Sequence, residues 1–190
     1  ERLLAAAGMP LELLASACPL RFTPPLAPGL AEDPAPFLVG PARSADPLVL
    51  AHASAALDAW EARHEPTLTL VEGAGGLHVP MPGATWQPAW IAALCGHTLV
   101  VGRAGLGTIN HTLSTIEGLR QLGRPPLGFV LSQTDPRPDP STTTNAAVIA
   151  AASGVPHLGT LPHGPEPRSA PALLDALLAR LPAKPSSTSR

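Results

Sequence analysis

Short apolar runs alternate along the chain with stretches in which apolar residues recur at helical spacing. The apolar runs predict strands at 67–71, 97–101, 127–131 and 157–161. The helical spacing predicts helices after Asp46-Pro47 and at 88–95, 108–122, 143–153 and 170–181. Strands that alternate with helices in this way predict an α/β fold with a parallel sheet.

Two of the predicted helices carry clear sequence signals. Asp46-Pro47 is typical of a helix start, because aspartate accepts N–H bonds at the N-cap and proline fits the first helical position. Apolar residues recur behind it at Leu50, Ala53, Leu57 and Trp60, before Pro66 closes the segment. The helix at 108–122 is expected to bury one face made of Ile109, Leu113, Ile116 and Leu119.

Apart from the helix that begins at Pro47, the first 71 residues contain fewer regular patterns than the rest of the chain. Residues 1–15 are typical of the end of one helix, a glycine stop at Gly8 and a short second turn. The stretch 18–41 contains seven prolines, which fix φ and remove N–H donors, so we expect loops or short extended pieces there. The strand at 67–71 is almost continuously apolar, which predicts burial on both faces, as in a parallel sheet.

Composition and charge exclude several classes of protein. The 190 residues include 12 basic and 14 acidic side chains, and the net charge of -2 excludes the basic footprint of a general nucleic-acid binder. No apolar run approaches the ~20 residues that span a bilayer, so we expect no membrane partner. Cys18 and Cys95 form no CxxC pair and support neither a disulfide scaffold nor a zinc ribbon. Hydrophobic residues make up 45% of the chain, and we expect one soluble domain over 1–181 with a disordered tail at 182–190.

Three polar or glycine-rich turns follow predicted strands, at 72–76, 102–110 and 132–135. They are candidates for ligand binding, since ligands of parallel sheets bind at the carboxyl ends of strands. Residues 72–76, Glu-Gly-Ala-Gly-Gly, combine close backbone approach with a carboxylate that suits Mg²⁺ near phosphates. A simple turn with a solvated glutamate is the alternative. Residues 105–111 open a long helix, whose free N–H groups suit a carboxylate or phosphate. The alternative there is a helix capped by Thr108 or Asn110.

Other catalytic and binding motifs are absent from the sequence. The order of glycines at 102–107 is not GxGxxG, so no dinucleotide site is predicted. The seven histidines form no HExxH motif, and there is no GxSxG turn of a serine hydrolase.

Four segments resemble dethiobiotin synthetases, in the order in which that family has them. Residues 71–80, Val-Glu-Gly-Ala-Gly-Gly-Leu-His-Val-Pro, resemble its VEGAGGxxVP segment, and residues 106–115 resemble its LGTINHTLLT helix start. Residues 20–28 are similar to its YRF…PLSPH loop, and residues 155–162 to its IPxLGxIP segment. The four segments together cover nearly the whole chain.

The resemblance implies a P-loop NTPase-like α/β domain, commonly a homodimer, that acts in the cytoplasm in biotin biosynthesis. Enzymes of that family carboxylate 7,8-diaminononanoate with CO₂. They then use ATP and Mg²⁺ to phosphorylate the carbamate and close the ureido ring of dethiobiotin, releasing ADP and phosphate.

The resemblance also implies roles for individual residues. Glu72 would be the Mg²⁺ ligand. The substrate would contact Ala74 and Gly75 in the cleft and, through its carboxylate tail, Leu106, Gly107 and Asn110. The nucleotide would contact Ser132, where the family has an adenine-reading asparagine, and Leu161, Pro162 and His163 beside the base.

The sequence departs from the family pattern at several points. The Walker A loop GTDTxVGKT and the second substrate-binding lysine are absent from the sequence. The only lysine is Lys184, in the tail. We therefore assign no catalytic residue within the 190 residues. Gly29 replaces the usual histidine, and Ser132-Gln133 weakens the adenine contact.

These departures leave two main interpretations. We expect an N-terminally truncated synthetase, without its first strand and phosphate loop, that is inactive by itself. The alternative is a non-catalytic substrate-binding or regulatory relative that has lost the ATP site. An amide-forming ATPase similar to the cobyrinic-acid amidases has less support, because the two cysteines do not indicate a glutaminase domain.

Overall fold

The chain divides into two units, Glu1–Cys95 and Gly96–Arg190, each of which is described by itself. The computed structural model describes residues 8–18, 20–38, 46–73, 75–137, 139–164 and 170–182. The expected disordered tail lies almost wholly outside these residues, and the single domain over 1–181 stays a prediction.

Helices and one hairpin are the regular elements in the described part of the N-terminal unit. After a 3₁₀ turn at Leu11–Leu13, its helices are α1 (Leu14–Ala17), α2 (Pro28–Glu32), α3 (Ala35–Leu38), α4 (Pro47–His64) and α5 (Gln87–Leu94). The hairpin pairs β1 (Pro80–Met81) with the antiparallel strand β2 (Thr85–Trp86).

The predicted start of α4 is confirmed. The Asp46 carboxylate accepts a hydrogen bond from the Leu48 N–H at 2.9 Å, as expected of an N-cap. The backbone N–H of Asp46 also donates to the Gly83 carbonyl at 2.8 Å, and the Gly83 N–H donates to the Glu32 carboxylate at 2.7 Å. These bonds link the start of α4 to the hairpin turn, and the hairpin turn to the end of α2.

The hairpin packs closely against α2 at Gly29, which is buried. A Cβ atom at position 29 would lie 2.6 Å from the Met81 carbonyl oxygen and 2.8 Å from the Met81 nitrogen. The neighbouring atoms belong to backbone and cannot rotate away. Position 29 therefore has no room for a side chain in this packing.

Two predictions for the N-terminal unit are wrong in part. The stretch 18–41 contains α2 and α3, because a proline in the first turn of a helix lacks only an N–H that the helix does not use. The segment 67–71 is not a strand, and Leu70 is 78% exposed. A strand is stable only when its backbone pairs, and no strand in the described ranges pairs with this segment. The short second turn near residue 15 is confirmed, whereas the helix preceding Gly8 lies outside the described residues.

Three parallel strands form the sheet of the C-terminal unit, which confirms the predicted α/β fold. The elements follow in the order β3 (Val100–Arg103), α6 (Thr108–Gln121), β4 (Phe129–Ser132), α7 (Asn145–Ser153), β5 (His157–Leu161) and α8 (Ala170–Leu178). The strand order is β3-β4-β5, with a 3₁₀ turn at Pro140–Thr143 before α7. All three strands and all three helices were predicted within a few residues of these bounds.

The core of this unit surrounds β4, which is paired on both edges. Phe129, Val130 and Leu131 are almost fully buried, as are Ile116 of α6 and Ile149 of α7. Burial of such aliphatic and aromatic side chains is the main source of stability for a unit of this size.

The buried face of α6 differs from the predicted one at its first two turns. Ile116 and Leu119 are buried as predicted, whereas Ile109 and Leu113 are only half-buried and Thr108 and Thr112 lie beneath them in the core. The two threonine hydroxyl groups are 3.1 Å apart and share a hydrogen bond, which satisfies both in the core. A Cβ at Gly102 of β3 would lie 2.8 Å from the Thr112 oxygen, so glycine makes room for these hydroxyl groups.

Candidate functional site

Two loops meet at the carboxyl end of the sheet, one after β3 and one after β4. The Asp139 carboxylate of the β4–α7 loop accepts a hydrogen bond from the Leu106 N–H of the β3–α6 loop at 3.0 Å. The same carboxylate accepts bonds from the N–H of Ser141, at 2.8 Å, and from its hydroxyl group. Asp139 therefore caps its own 3₁₀ turn and also holds the neighbouring loop.

Asn145 holds the same loop from the first position of α7. Its side-chain nitrogen donates to the Ala104 carbonyl at 2.9 Å and to the Gly105 carbonyl at 3.3 Å. It also lies 3.1 Å from the Ser141 hydroxyl oxygen. Asn145 is only 3% exposed, and its bond to the Ala104 carbonyl is buried. We call Asp139, Ser141 and Asn145 the loop clamp.

Glycines allow the two loops to approach this closely. A Cβ at Gly105 would lie 2.8 Å from Asp139 Oδ2. Gly107, the N-cap of α6, has φ of +90°, in the left-handed region that residues with a side chain rarely adopt. The two positions therefore require glycine for different reasons, close approach in one case and backbone conformation in the other.

No side chain caps the first turn of α6. The predicted alternative, a cap by Thr108 or Asn110, is therefore wrong. Thr108 turns its hydroxyl group into the core toward Thr112, and Asn110 is exposed. A helix start without a side-chain cap presents free N–H groups and the positive end of the helix dipole, which suits an anion.

The three residues predicted to bind the substrate tail lie together at this helix start. Gly107 and Asn110 are exposed, and the Leu106 side chain is 84% exposed. The Leu106 N–H already donates to Asp139. A ligand would therefore contact the side chain of Leu106 rather than its N–H group.

The predicted nucleotide-binding residues also lie at strand ends of this unit. Ser132 and Leu161 are paired across β4 and β5, and the Gln133 N–H donates to the Leu161 carbonyl at 2.9 Å. Pro162 and His163 follow directly and are exposed. The Ser132 carbonyl accepts the Ala104 N–H at 2.8 Å, which links this edge to the β3–α6 loop.

The remaining predicted residues belong to the N-terminal unit. Glu72 is exposed, and among the described residues it has no hydrogen-bond or ion-pair partner. Gly75 adopts φ of +78°. Ala74 lies outside the described residues. The predicted residues thus fall into two sets, one in each unit.

One free carboxylate, that of Glu72, is compatible with the Mg²⁺ site that the family resemblance implies. The described part of the chain contains no group of three or more acidic, histidine or cysteine side chains that could enclose a metal ion. Mg²⁺ that acts on nucleotides commonly binds one or two carboxylates together with substrate phosphates. The oxygen donor of Glu72 fits that arrangement.

Sequence reasoning missed Asp139 and Asn145. One signal for Asp139 was present, because Asp139-Pro140 repeats the Asp-Pro start recognised at Asp46. No sequence signal indicated that the two side chains hold a loop more than thirty positions earlier in the chain.

Hydrogen bonds lower the pKa of Asp139 below its ordinary value of 3.8, chiefly those from the Ser141 hydroxyl and N–H groups and less so that from Leu106. A lowered pKa means that the ionised carboxylate stabilises the folded state at every pH above about 4, the pKa of an unfolded aspartate. This contribution is lost as the pH falls through the folded-state pKa.

We therefore expect the stability difference between the natural protein and Asp139→Asn to depend on pH. The difference in free energy of unfolding should be constant from pH 7 to about pH 5 and should shrink below about pH 4. Urea unfolding followed by circular dichroism at each pH measures it. A difference that stays constant down to pH 3 would contradict the role given to the charged carboxylate.

Among the helices that the structure describes, none is both long and apolar enough to cross a bilayer.

Comparison with known proteins agrees with this fold. Residues 16–169 match the family model described as an AAA domain. The chain is thus an α/β domain of the P-loop NTPase-like class.

Individual relatives define the family more narrowly. The chain is 42% identical over 182 residues to the ATP-dependent dethiobiotin synthetase BioD of Anaeromyxobacter dehalogenans strain 2CP-C, covering 95% of this chain and 76% of that protein. It is 42% identical over 156 residues to the protein of the same name from strain 2CP-1, covering 82% and 65%. A BioD of Bacillus subtilis strain 168 is 38% identical over 93 residues, covering 49% of this chain and 40% of that protein. The chain belongs to the ATP-dependent dethiobiotin synthetase family, a family of enzymes, and spans about two thirds to three quarters of the first two relatives.

Proposed function

We propose that this protein catalyses the ATP-dependent ring closure that forms dethiobiotin from 7,8-diaminononanoate and CO₂ in biotin biosynthesis. The observation that carries the proposal is the first turn of α6, which has no side-chain cap and is held by the loop clamp. This turn occurs in the 106–115 segment that resembles the family's helix start. A free helix start suits the carboxylate tail of the substrate.

The reaction requires three bonds to form in sequence. One substrate amine attacks CO₂ and gives a carbamate. The carbamate oxygen takes the γ-phosphoryl group of ATP, with release of ADP. The second amine then attacks the carbamate carbon, expels phosphate and closes the ureido ring. Because the reacting amines lie at the opposite end of the molecule from the carboxylate, a fixed carboxylate anchor sets their position.

The residues of the C-terminal unit act by binding and orientation in this proposal. Gly107 and Asn110 donate hydrogen bonds to the carboxylate tail, and the exposed Leu106 side chain packs along the chain of methylene groups. Ser132, Leu161, Pro162 and His163 border the adenine of ATP at the ends of β4 and β5.

The residues of the N-terminal unit bind the reacting end in this proposal. Glu72 supplies a carboxylate ligand to Mg²⁺, which when bound neutralises charge on the transferring phosphoryl group. Ala74 and Gly75 line the cleft for the diamine. We further propose that the active form is a homodimer, with the carboxylate tail bound across its interface, and that it acts in the cytoplasm.

The test is ADP release by the natural gene product that carries this sequence. We expect release that requires 7,8-diaminononanoate, bicarbonate and Mg²⁺ together, with dethiobiotin detected by mass spectrometry. Binding of the diamino acid without ADP release would instead support the non-catalytic relative. The absence of both diamino acid binding and ADP release would contradict both functions.

Within this assay, Asn110→Ala should raise the KM for 7,8-diaminononanoate about tenfold, because one donor to the carboxylate is lost. The KM for ATP and the kcat should change by less than about threefold. Gln121→Ala is the matched control, since Gln121 is an exposed amide at the opposite end of the same helix. An unchanged KM for the diamino acid would count against Asn110 as a carboxylate ligand.

A further inference from the structure

The β3–α6 loop is held by side chains of the β4–α7 loop and of α7, in addition to the bond from the Thr108 N–H of its own helix to the Gly105 carbonyl at 3.3 Å. At most helix starts, a side chain from the N-cap residue satisfies the first N–H groups. Here the N-cap is Gly107, which has no side chain. The loop is instead held at three consecutive residues, Ala104, Gly105 and Leu106, by side chains of Asp139 and Asn145.

Two side chains of the loop clamp, those of Asp139 and Asn145, satisfy different backbone groups of the β3–α6 loop. Asp139 accepts from an N–H, and Asn145 donates to two carbonyl groups. Loss of Asn145 leaves the Ala104 carbonyl without its buried partner, at a cost of about 1–3 kcal/mol. Loss of Asp139 removes the side chain that holds the exposed Leu106 N–H. Loss of either side chain therefore favours a different loop conformation. Gly105 lets the two loops approach closely, because a Cβ at this position would lie 2.8 Å from Asp139 Oδ2.

The clamp leaves the helix start open to a ligand. The Asp139 carboxylate is directed to Leu106 and to Ser141, and neither Asp139 nor Asn145 caps the first turn of α6. The Thr108 N–H donates to the Gly105 carbonyl at 3.3 Å, whereas the N–H groups of Ile109 and Asn110 have no partner among the described residues. These two groups therefore remain available while the loop that precedes them is fixed in place.

We propose that Asp139 and Asn145 are positioning residues for the substrate carboxylate. They fix residues 104–107 so that the first turn of α6 binds the carboxylate tail without first reordering the loop, and they do not touch the substrate themselves. This inference rests on the proposed function, since it concerns the same carboxylate. A displacement of the helix start by about 1 Å is enough to cost catalysis up to two orders of magnitude.

The test compares three variants of the natural gene product with the unmodified protein. Asp139→Ala removes the acceptor for the Leu106 N–H, whereas Asp139→Asn keeps an oxygen acceptor in the same place. Asp135→Ala is the matched control, because the Asp135 carboxylate caps only the Arg137 N–H in its own turn, at 2.8 Å. The readouts are the Kd of 7,8-diaminononanoate by calorimetry, the KM and kcat, and the exchange rate of the Leu106 amide proton.

We expect Asp139→Ala to raise the Kd and KM for the diamino acid about tenfold, with kcat and the KM for ATP changed less than about threefold. Leu106 amide exchange should become faster in that variant. Asp139→Asn should restore both values to within about threefold of the natural protein, and Asp135→Ala should leave them unchanged. A merely structural role would lower kcat and the melting temperature and raise both KM values together.

Other outcomes overturn the proposal. Equal Kd values in the natural protein and Asp139→Ala would do so while leaving the proposed function intact. A natural protein that does not bind the diamino acid would overturn the proposed function, and this inference with it. If Asp139→Ala does not fold, Gly105→Ala tests the same contact from the other loop, since its Cβ would meet Asp139 Oδ2 at 2.8 Å. A Kd unchanged by Gly105→Ala would then overturn the inference.

Discussion

Replacing Glu72 with glutamine is expected to lower diaminononanoate-dependent ADP release by roughly a hundredfold. Glutamine keeps the shape of the side chain and removes the charge that would attract Mg²⁺. Glu72 is exposed and has no other partner in the described part of the chain, so folding should be unaffected. The measurement is the turnover rate of the natural gene product over a range of Mg²⁺ concentrations. The concentration that gives half of the maximal rate should increase.

The control for this result is Glu61→Gln, which removes an exposed carboxylate from α4 in the same unit. It should leave the rate and its Mg²⁺ dependence unchanged. Equal turnover by Glu72→Gln at every Mg²⁺ concentration would reject the metal role of Glu72. A parallel loss in both variants would instead point to the overall charge of the unit.

The second large effect is expected at Gly29. Gly29→Ala should lower the free energy of unfolding of the N-terminal unit by about 2–3 kcal/mol, because overpacking against atoms that cannot rotate away forces the backbone to shift. The added Cβ would lie 2.6 Å from the Met81 carbonyl oxygen and 2.8 Å from the carbonyl carbon of Pro80. The shift would separate α2 from β1.

Tryptophan fluorescence during urea unfolding measures this effect. Trp60, Trp86 and Trp90 all belong to the N-terminal unit, and they are the only tryptophans of the 190 residues. Gly76→Ala is the matched control, since a Cβ there meets nothing within 4 Å and stability should change by less than about 0.5 kcal/mol. Equal stability of the two variants would show that the hairpin moves aside at little cost.

The first turn of α6 shows where sequence reasoning was limited. The glycine-rich turn, the helix start and the place of Asn110 in its first turn were predicted from the 105–111 segment. The sequence left open whether Thr108 caps the helix, since threonine is a common N-cap residue. The choice depended on Gly102, which leaves room beneath α6 for the Thr108 and Thr112 hydroxyl groups to bond to each other.

The segment at 67–71 shows a second limit. Its apolar, β-branched residues have high strand propensity, and this led to the prediction of a buried strand. Strand propensity expresses how well a side chain fits a paired, half-buried surface, so it does not produce a strand without a partner. Leu70 and Val71 are exposed in the structure.

The sequence by itself determined the α/β class, the alternation of α6, β4, α7 and β5, and the dethiobiotin synthetase family. These features depend on local periodicity and on short motifs, which need no knowledge of distant contacts. Only the tertiary structure decided that Asp139 and Asn145 hold the β3–α6 loop and that Gly29 excludes a side chain. Both depend on distances between residues far apart in the chain, and those distances are set by the packing of whole elements.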